Sequence, residues 1–447
     1  MSALLLLLAL GCRDEAGPPP PFVWHDTAVA TDWSSPLQFG AGRPPRNVLM
    51  ISIDTLRRDA IGPYGSDTPT PFFDRMASEG VVLDDHMQCS SWTFASTTCT
   101  LAGRYPEDLR YMPRLTQDQD PVPDGTRFLA HWMGDAGFTT MLQSPNAWLS
   151  DNWGNGRGYD VFTDKSGTAL AAGREAYATL MGEASGDPWF LHVHVTEPHA
   201  AYNPPQRFLA GLDDLEPVQF DLSDRDIHYD VNGNDYYDEL DAETKELVEA
   251  HLRVRYAGEV AWLDEQLGTL FAELDADGAL DDTLVVLWTD HGEAFFEHGV
   301  QTHAHTLHPE ENDGIAMFWA KDLAPVRWSG PTHAIDLVPT LLDLYAGEVP
   351  EEVTGVPLGS ALPTRRRFAT VDARAGVIQM VRDGDFAMHL SWRMGQVELY
   401  DRSADPGETN DLFRADHPVV EELWPVMKER VGALNPLVPS APLLPSL

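Results

Sequence analysis

A chain of 447 residues, 43% of them hydrophobic, is long enough to bury a large core and to divide into two or three domains. Its 70 acidic side chains outnumber 30 basic ones, for a formal net charge of −40, and only four of the basic residues are lysines. That balance excludes nucleic acid as a partner, because phosphate backbones are bound by basic faces, and it repels anionic lipid headgroups. The acidity reads as a solubility or salt-adapted surface. An anionic substrate would need a cation and local arginines to reverse the field at its site.

In chain order, Met1 to Cys12 is an apolar run closing on Gly11-Cys12. It resembles a bacterial lipoprotein signal peptide, with Cys12 as the lipidated residue. The expectation is an exported, periplasmic or cell-surface lipoprotein that meets the membrane only through its N-terminal lipid. Residues 13–45, with Pro18-Pro19-Pro20-Pro21 and no periodicity, predict a flexible linker. In an oxidising compartment Cys89 and Cys99 either form a disulfide or stay as two buried thiols; spacing leaves both open. No later segment is apolar enough to span a membrane.

From residue 46 to 346, apolar strand-like runs alternate with amphipathic helical stretches, as in an α/β sheet. Asn47 to Ile53 is a buried parallel strand that delivers Asp54 to the carboxyl edge. Ser91 to Pro106 is a hydroxyl-rich turn leading into a short helix. Gly137–Leu142 and Pro188–Val195 are further strands, the second carrying alternate histidines and ending on Thr196-Glu197-Pro198-His199. Between Asp221 and Asp241, the residues Asp230, Asn232, Asn234 and Asp235 suggest a calcium loop, but the glycine is misplaced and a solvated insertion is predicted instead. Thr283 to Thr289 is a second buried strand, ending on Asp290-His291-Gly292-Glu293. Two strands ending in Asp and Asp-His suit a divalent cation held between them. Residues 347–447 form a smaller region, with strands near 368–371, 377–382 and 386–390 and a helix over 418–431.

These pieces, in this order, resemble the sulfatase family of the alkaline phosphatase superfamily. The resemblance also rests on Thr68-Pro69-Thr70-Pro71-Phe72-Phe73-Asp74-Arg75, Tyr256 to Asp264, Asp336-Leu337-Val338-Pro339-Thr340-Leu341-Leu342, Glu398-Leu399-Tyr400-Asp401 and Asp405-Pro406-Gly407-Glu408. It implies an alkaline-phosphatase-like three-layer α/β/α sandwich with a small C-terminal antiparallel sheet plus helix. It also implies one divalent metal ion, held by Asp54, Asp290, His291 and the nucleophile. Thr55 stands where many sulfatases carry a second aspartate. An imidazole among so few donors favours manganese or zinc over calcium.

The nucleophile departs from the family. Counting back from Gly103, the position of the cysteine that sulfatases convert to formylglycine holds Thr93, in Thr93-Phe94-Ala95-Ser96-Thr97, and neither Cys89 nor Cys99 is in register. A threonine beside a metal at a helix N-terminus can attack an ester, as in phosphodiesterase and phosphonate hydrolase branches of the superfamily. Threonine is also a common helix N-cap, and the two roles are compatible. By the same resemblance, His199 protonates the leaving group, and His303 is a second acid or anion contact. Arg57 is a candidate anion contact, with a surface ion pair as the alternative. The family's lysine- and histidine-bearing stretch is replaced by Met141 to Leu149. The function implied is hydrolysis of a sulfuric or phosphoric ester on a small molecule or glycan. The alternatives are a phospho-alcohol transferase and an inactive glycan-binding relative.

Overall fold

The strand β1 (Asn47–Ile53) runs through the middle of an eight-stranded sheet. Its neighbours are β5 (Trp189–Val195) and β6 (Thr283–Thr289), both parallel to it. Beyond β5 lie β3 (Thr139–Gln143) and β4 (Val161–Thr163); beyond β6 lie β9 (Ala316–Trp319), β2 (Val81–Met87) and β10 (Val326–His333), with β9 antiparallel to both its neighbours. The computed structural model describes residues 35–115, 119–184, 186–218, 221–222, 239–360, 365–373, 376–438, 442 and 444–445. The signal and anchor reading at Cys12, most of the linker, and Asp230, Asn232, Asn234 and Asp235 lie outside the described residues.

The apolar run of β1 has no polar face because both of its faces are covered. Val48 and Met50 join one core cluster, with Phe94, Leu129 and Leu341 from the helices Thr93–Ala102, Leu129–Asp135 and Leu337–Tyr345. Leu49, Ile51 and Ile53 join the other, with Phe73, Ala176 and Leu267 from the helices Pro71–Glu79, Ala169–Glu183 and Ala242–Ala276. The result is helices, sheet, helices. Full burial of each such aliphatic side chain contributes about 1.5–3 kcal/mol, and a one-residue slip of β1 would exchange the two faces.

The C-terminal region is an antiparallel meander of β11 (Arg367–Ala373), β12 (Gly376–Asp383), β13 (Phe386–Ser391) and β14 (Gln396–Asp401) under the helix Pro418–Leu434. Glu398-Leu399-Tyr400-Asp401 is thus the fourth strand, and the helix extends past the expected 431. The buried Arg367 of β11 pairs with Asp85 of β2 at 2.7 Å, tying this sheet to the larger one, and Arg430 of the last helix pairs with Glu107 at 2.6 Å. Cys89 and Cys99 form a disulfide, Cα atoms 6.7 Å apart, which links the loop after β2 to the helix Thr93–Ala102. Among the described residues no helix is long and apolar enough to cross a membrane.

Candidate active site

Strand register creates the site. Ile53 pairs with Val195 on one side and Thr289 on the other, so the next residues, Asp54 and Asp290, leave the sheet side by side. Thr55 then turns the chain with φ 57°, a left-handed conformation that costs a β-branched residue on the order of 1–3 kcal/mol. Its N–H donates to Asp290 Oδ1 at 3.3 Å, and the Tyr256 hydroxyl donates to its carbonyl at 2.7 Å.

Three buried polar atoms here, Asp54 Oδ1, Asp290 Oδ2 and His194 Nε2, have no hydrogen-bond partner among the described residues. Asp54, His194 and Asp290 each offer a ligand atom, all within 4.8 Å of one another. His291 Nε2 lies 3.6 Å from Asp54 Oδ1 and 3.7 Å from Asp290 Oδ2. The histidine tautomers suit ligation. His291 Nδ1–H donates to the Gly292 carbonyl at 2.9 Å and His194 Nδ1 bonds Ser52 Oγ at 2.8 Å, which leaves each Nε2 facing the carboxylates.

Burial, reinforced by the neighbouring Asp54 charge, pushes Asp290 well above the usual carboxylate range. Burial acts upward on Asp54 too, but His199, His194 and His291 around it hold it below that range. Two adjacent buried carboxylates cannot both be ionised without a counter-charge. The orphaned atoms of Asp54, Asp290 and His194 therefore form a group that could hold a divalent cation; His291, the other residue the sequence pointed to, lies beside that group with its Nε2 near Thr93 Oγ1.

Thr93 is the first residue of its helix, and Trp92 is the N-cap. The threonine hydroxyl makes no capping bond, so the N-cap reading of Thr93 does not hold. Its Oγ1 instead lies 3.4 Å from His291 Nε2. The helix is pinned there by Ser96, whose hydroxyl donates to the Asp290 carbonyl at 2.5 Å, and by complete burial. Its first N–H groups and dipole favour an anion in front of Thr93.

From the stretch that replaces the family's lysine and histidine comes Asn146. Its Oδ1 accepts from the Trp148 N–H at 2.9 Å, which orients Nδ2 to donate to Asp54 Oδ2 at 2.7 Å, with Thr93 Oγ1 at 3.4 Å.

His199 and His303 close the site. The His303 ring lies 4.6 Å from that of His291 and 5.1 Å from that of His199, centroid to centroid. His199 Nδ1–H donates to the Ala200 carbonyl at 2.8 Å. His303 Nδ1–H donates to Glu293 Oε1 at 2.9 Å. Burial acts to raise Glu293, but His303 and its neighbours outweigh it and hold the carboxyl below its usual value. Of the His-Ala-His pair, it is the His303 ring that lies beside those of His291 and His199; the backbone N–H of His305 goes to Glu311 at 3.0 Å.

Arg57 is not brought to this cluster. Its Nε and Nη2 bond Asp59 at 2.8 and 2.7 Å, and Nη1 bonds Glu297 at 2.8 Å and the Glu293 carbonyl at 2.9 Å. With its donors so engaged, it braces the turn after Asp54 rather than offering a fork to an anion. It lines a separate cavity of about 1470 Å³, together with Arg58, Tyr64, Glu310 and Arg402.

Sequence reasoning missed His194, Asn146 and the role of Glu293. The alternation His192-Val193-His194 on β5 was the only available signal for the first, and the loop residue Asn146 gave none.

The Sulfatase family model matches residues 46–347. A choline-sulfatase from Rhizobium meliloti is 24% identical over 84% of this chain and 83% of its own length. A multifunctional alkaline phosphatase superfamily protein, PehA, from Trinickia caryophylli is 24% identical over 69% and 76%. Among solved structures, a protein in complex with its substrate D-glucosamine-2-N,6-O-disulfate aligns at TM-score 0.68 and 19% identity, covering 89% of this chain and 99% of its own. The phosphonate monoester hydrolase from Silicibacter pomeroyi aligns at 0.67 and 19%, covering 88% and 96%. The mixed α/β fold is the alkaline-phosphatase-like one that the sequence implies. With that fold, and with the family model covering the whole span that carries Asp54, Thr93, His199, Asp290 and His291, this chain belongs to the sulfatase family of ester hydrolases.

Proposed function

We propose that the protein is a metal-dependent hydrolase of sulfuric or phosphoric esters in which Thr93 is the nucleophile. The observation that carries this reading is Thr93 Oγ1 at 3.4 Å from His291 Nε2, beside the orphaned oxygens of Asp54 and Asp290. Asp54, Asp290, His291 and His194 would hold the cation. Two imidazoles with two carboxylates form a mixed donor set that favours manganese or zinc over calcium. Such a cation neutralises the ester's non-bridging oxygens and lowers the pKa of the threonine hydroxyl.

Its proton given up to solvent, Thr93 Oγ attacks the phosphorus or sulfur, and the bond to the leaving oxygen breaks as His199 protonates it. Water then hydrolyses the threonine ester, one of its protons returning to Thr93 Oγ and the other restoring His199. Asn146 Nδ2 holds Asp54 and Thr93 in place and the helix N–H groups steady the anion, while Glu293 orients His303 as a second acid or anion contact. A formylglycine hydrate expels sulfate by forming a carbonyl, which threonine cannot do, so phosphoesters or phosphonate esters rank ahead of sulfates. The substrate class is a sulfated or phosphorylated small molecule or glycan, and the N-terminal sequence favours an exported, lipid-anchored protein.

The test is metal-supplemented turnover of p-nitrophenyl sulfate, a phosphate monoester and a phosphodiester by wild type, Thr93→Ala and Asp290→Ala. Phosphoester turnover lost in both variants supports the reading. Sulfatase turnover that survives Thr93→Ala overturns it. Products that form only with an added acceptor alcohol indicate the transferase, and silence with metal bound indicates the inactive relative.

A further inference from the structure

A second cluster of metal-type side chains lies where the larger sheet meets the C-terminal one. His308 precedes the short helix Pro309–Asn312, His389 is on β13, and Glu408 is in the loop after β14. All three are buried, at 6%, 3% and 0% exposure, which is unusual for a carboxylate and two imidazoles unless they serve one another or an ion. Each offers a ligand atom, all within 4.8 Å of one another.

The geometry points to a shared ion rather than a simple hydrogen-bonded trio. Glu408 Oε1 is taken by Arg402 at 2.7 Å, which fixes the carboxylate and leaves Oε2 facing the rings. His308 Nδ1–H hydrogen-bonds that oxygen at 2.8 Å, a proton that a cation would displace, and His389 Nε2 lies 2.9 Å from it. Yet His389 Nε2 has no hydrogen-bond partner among the described residues, so its in-plane direction misses the oxygen it nearly touches. An imidazole nitrogen aimed past a carboxylate oxygen at that distance is aimed at a third point beside both. The rings are held in place: His308 is stacked between His298, at 3.7 Å, and His389, at 4.6 Å. Nearby charges are mixed, with Glu310 on His298 at 2.7 Å, Glu398 at 3.8 Å from His308 Nε2, and Arg382 and Arg402 both paired with Asp313.

We propose that His308, His389 and Glu408 form a second, structural site for a first-row divalent cation. Two imidazoles and one carboxylate oxygen in a closed, buried position suit zinc best, with a water completing the shell. The site staples the C-terminal sheet to the catalytic domain, because His308 comes from one and His389 and Glu408 from the other. It is independent of the nucleophile and of the cluster at Asp54.

The full chain, stripped with a chelator and dialysed, is titrated with zinc chloride, and bound zinc is counted by atomic emission. Wild type is expected to bind two equivalents, His389→Gln one, and an Asp54→Asn, Asp290→Asn double variant one. Zinc is also expected to raise the melting temperature of that double variant in a concentration-dependent way. Equal zinc content in wild type and His389→Gln overturns the proposal. Should His389→Gln fail to fold, the double variant decides alone: one equivalent supports the second site, and none overturns it.

Discussion

Thr93 Oγ1 and His291 Nε2, 198 positions apart in sequence, lie 3.4 Å from each other. One belongs to the first turn of a buried helix and the other follows a central strand, so neither can shift without unpacking a core. A hydroxyl held this way, near the orphaned carboxylate oxygens of Asp54 and Asp290, is the nucleophile of the proposed mechanism.

Thr93→Ala is expected to lower kcat by about 10³-fold or more, the scale seen when a nucleophile is removed. Zinc or manganese content should stay near wild type, since Asp54, Asp290 and His291 remain. Thr93→Ser should retain part of the activity. Steady-state kinetics with metal analysis on the same preparations checks both halves.

His199→Gln separates substrates by leaving group. An ester that releases p-nitrophenol needs little protonation and should lose less than about tenfold, whereas an alkyl ester should lose about 10²–10⁴-fold, the range of general acid catalysis. Comparing kcat on the two esters tests this. Equal losses would move the proton-donor role to His303.

Arg57→Met should lower stability with little effect on KM. The substitution leaves Glu297 and the Glu293 carbonyl without their buried donor, a loss of roughly 1–3 kcal/mol. It also changes the acid limb. Burial pushes Glu297 up, but Arg57 and Arg253 more than reverse this and bring it to about 2. A carboxylate depressed in the folded state contributes stability that is complete above its unfolded value, near 4.3, and is lost as pH falls towards 2. Urea midpoints between pH 3 and 7 should fall less steeply in the variant than in wild type.

Replacing Cys89 and Cys99 together by Ala should cost about 2–3 kcal/mol, the contribution of a short closed loop. The bond spans 10 positions and joins the loop after β2 to the helix that carries Thr93. Thermal melts with and without reductant should reproduce the difference in wild type and show none in the variant.

Asp54, Asp290 and His291 stood out as hard ligands ending apolar runs, and the structure brings His291 to 3.6 and 3.7 Å from the two carboxylates. His199 and His303 stood out by resemblance, and their rings lie 5.1 Å apart; the β1 and β6 strands were legible by their unbroken apolar runs. His194 was not, because its partner Ser52 lies on another strand and pair register is invisible in one sequence. Asn146 was hidden in a loop without periodicity. For Arg57 the sequence left an anion contact and an ion pair open; the structure shows the ion pair, whose distant member, Glu297, is 240 positions away. His308, His389 and Glu408 sit in three unremarkable stretches and meet only when the two sheets dock.

The most direct test of the account is to trap the covalent intermediate. Protein turning over a phosphodiester with added metal is acid-quenched, digested and examined by mass spectrometry. A phosphoester adduct on Thr93, absent from Thr93→Ala, is expected. Undiminished turnover by Thr93→Ala, or an adduct on another side chain, would contradict it.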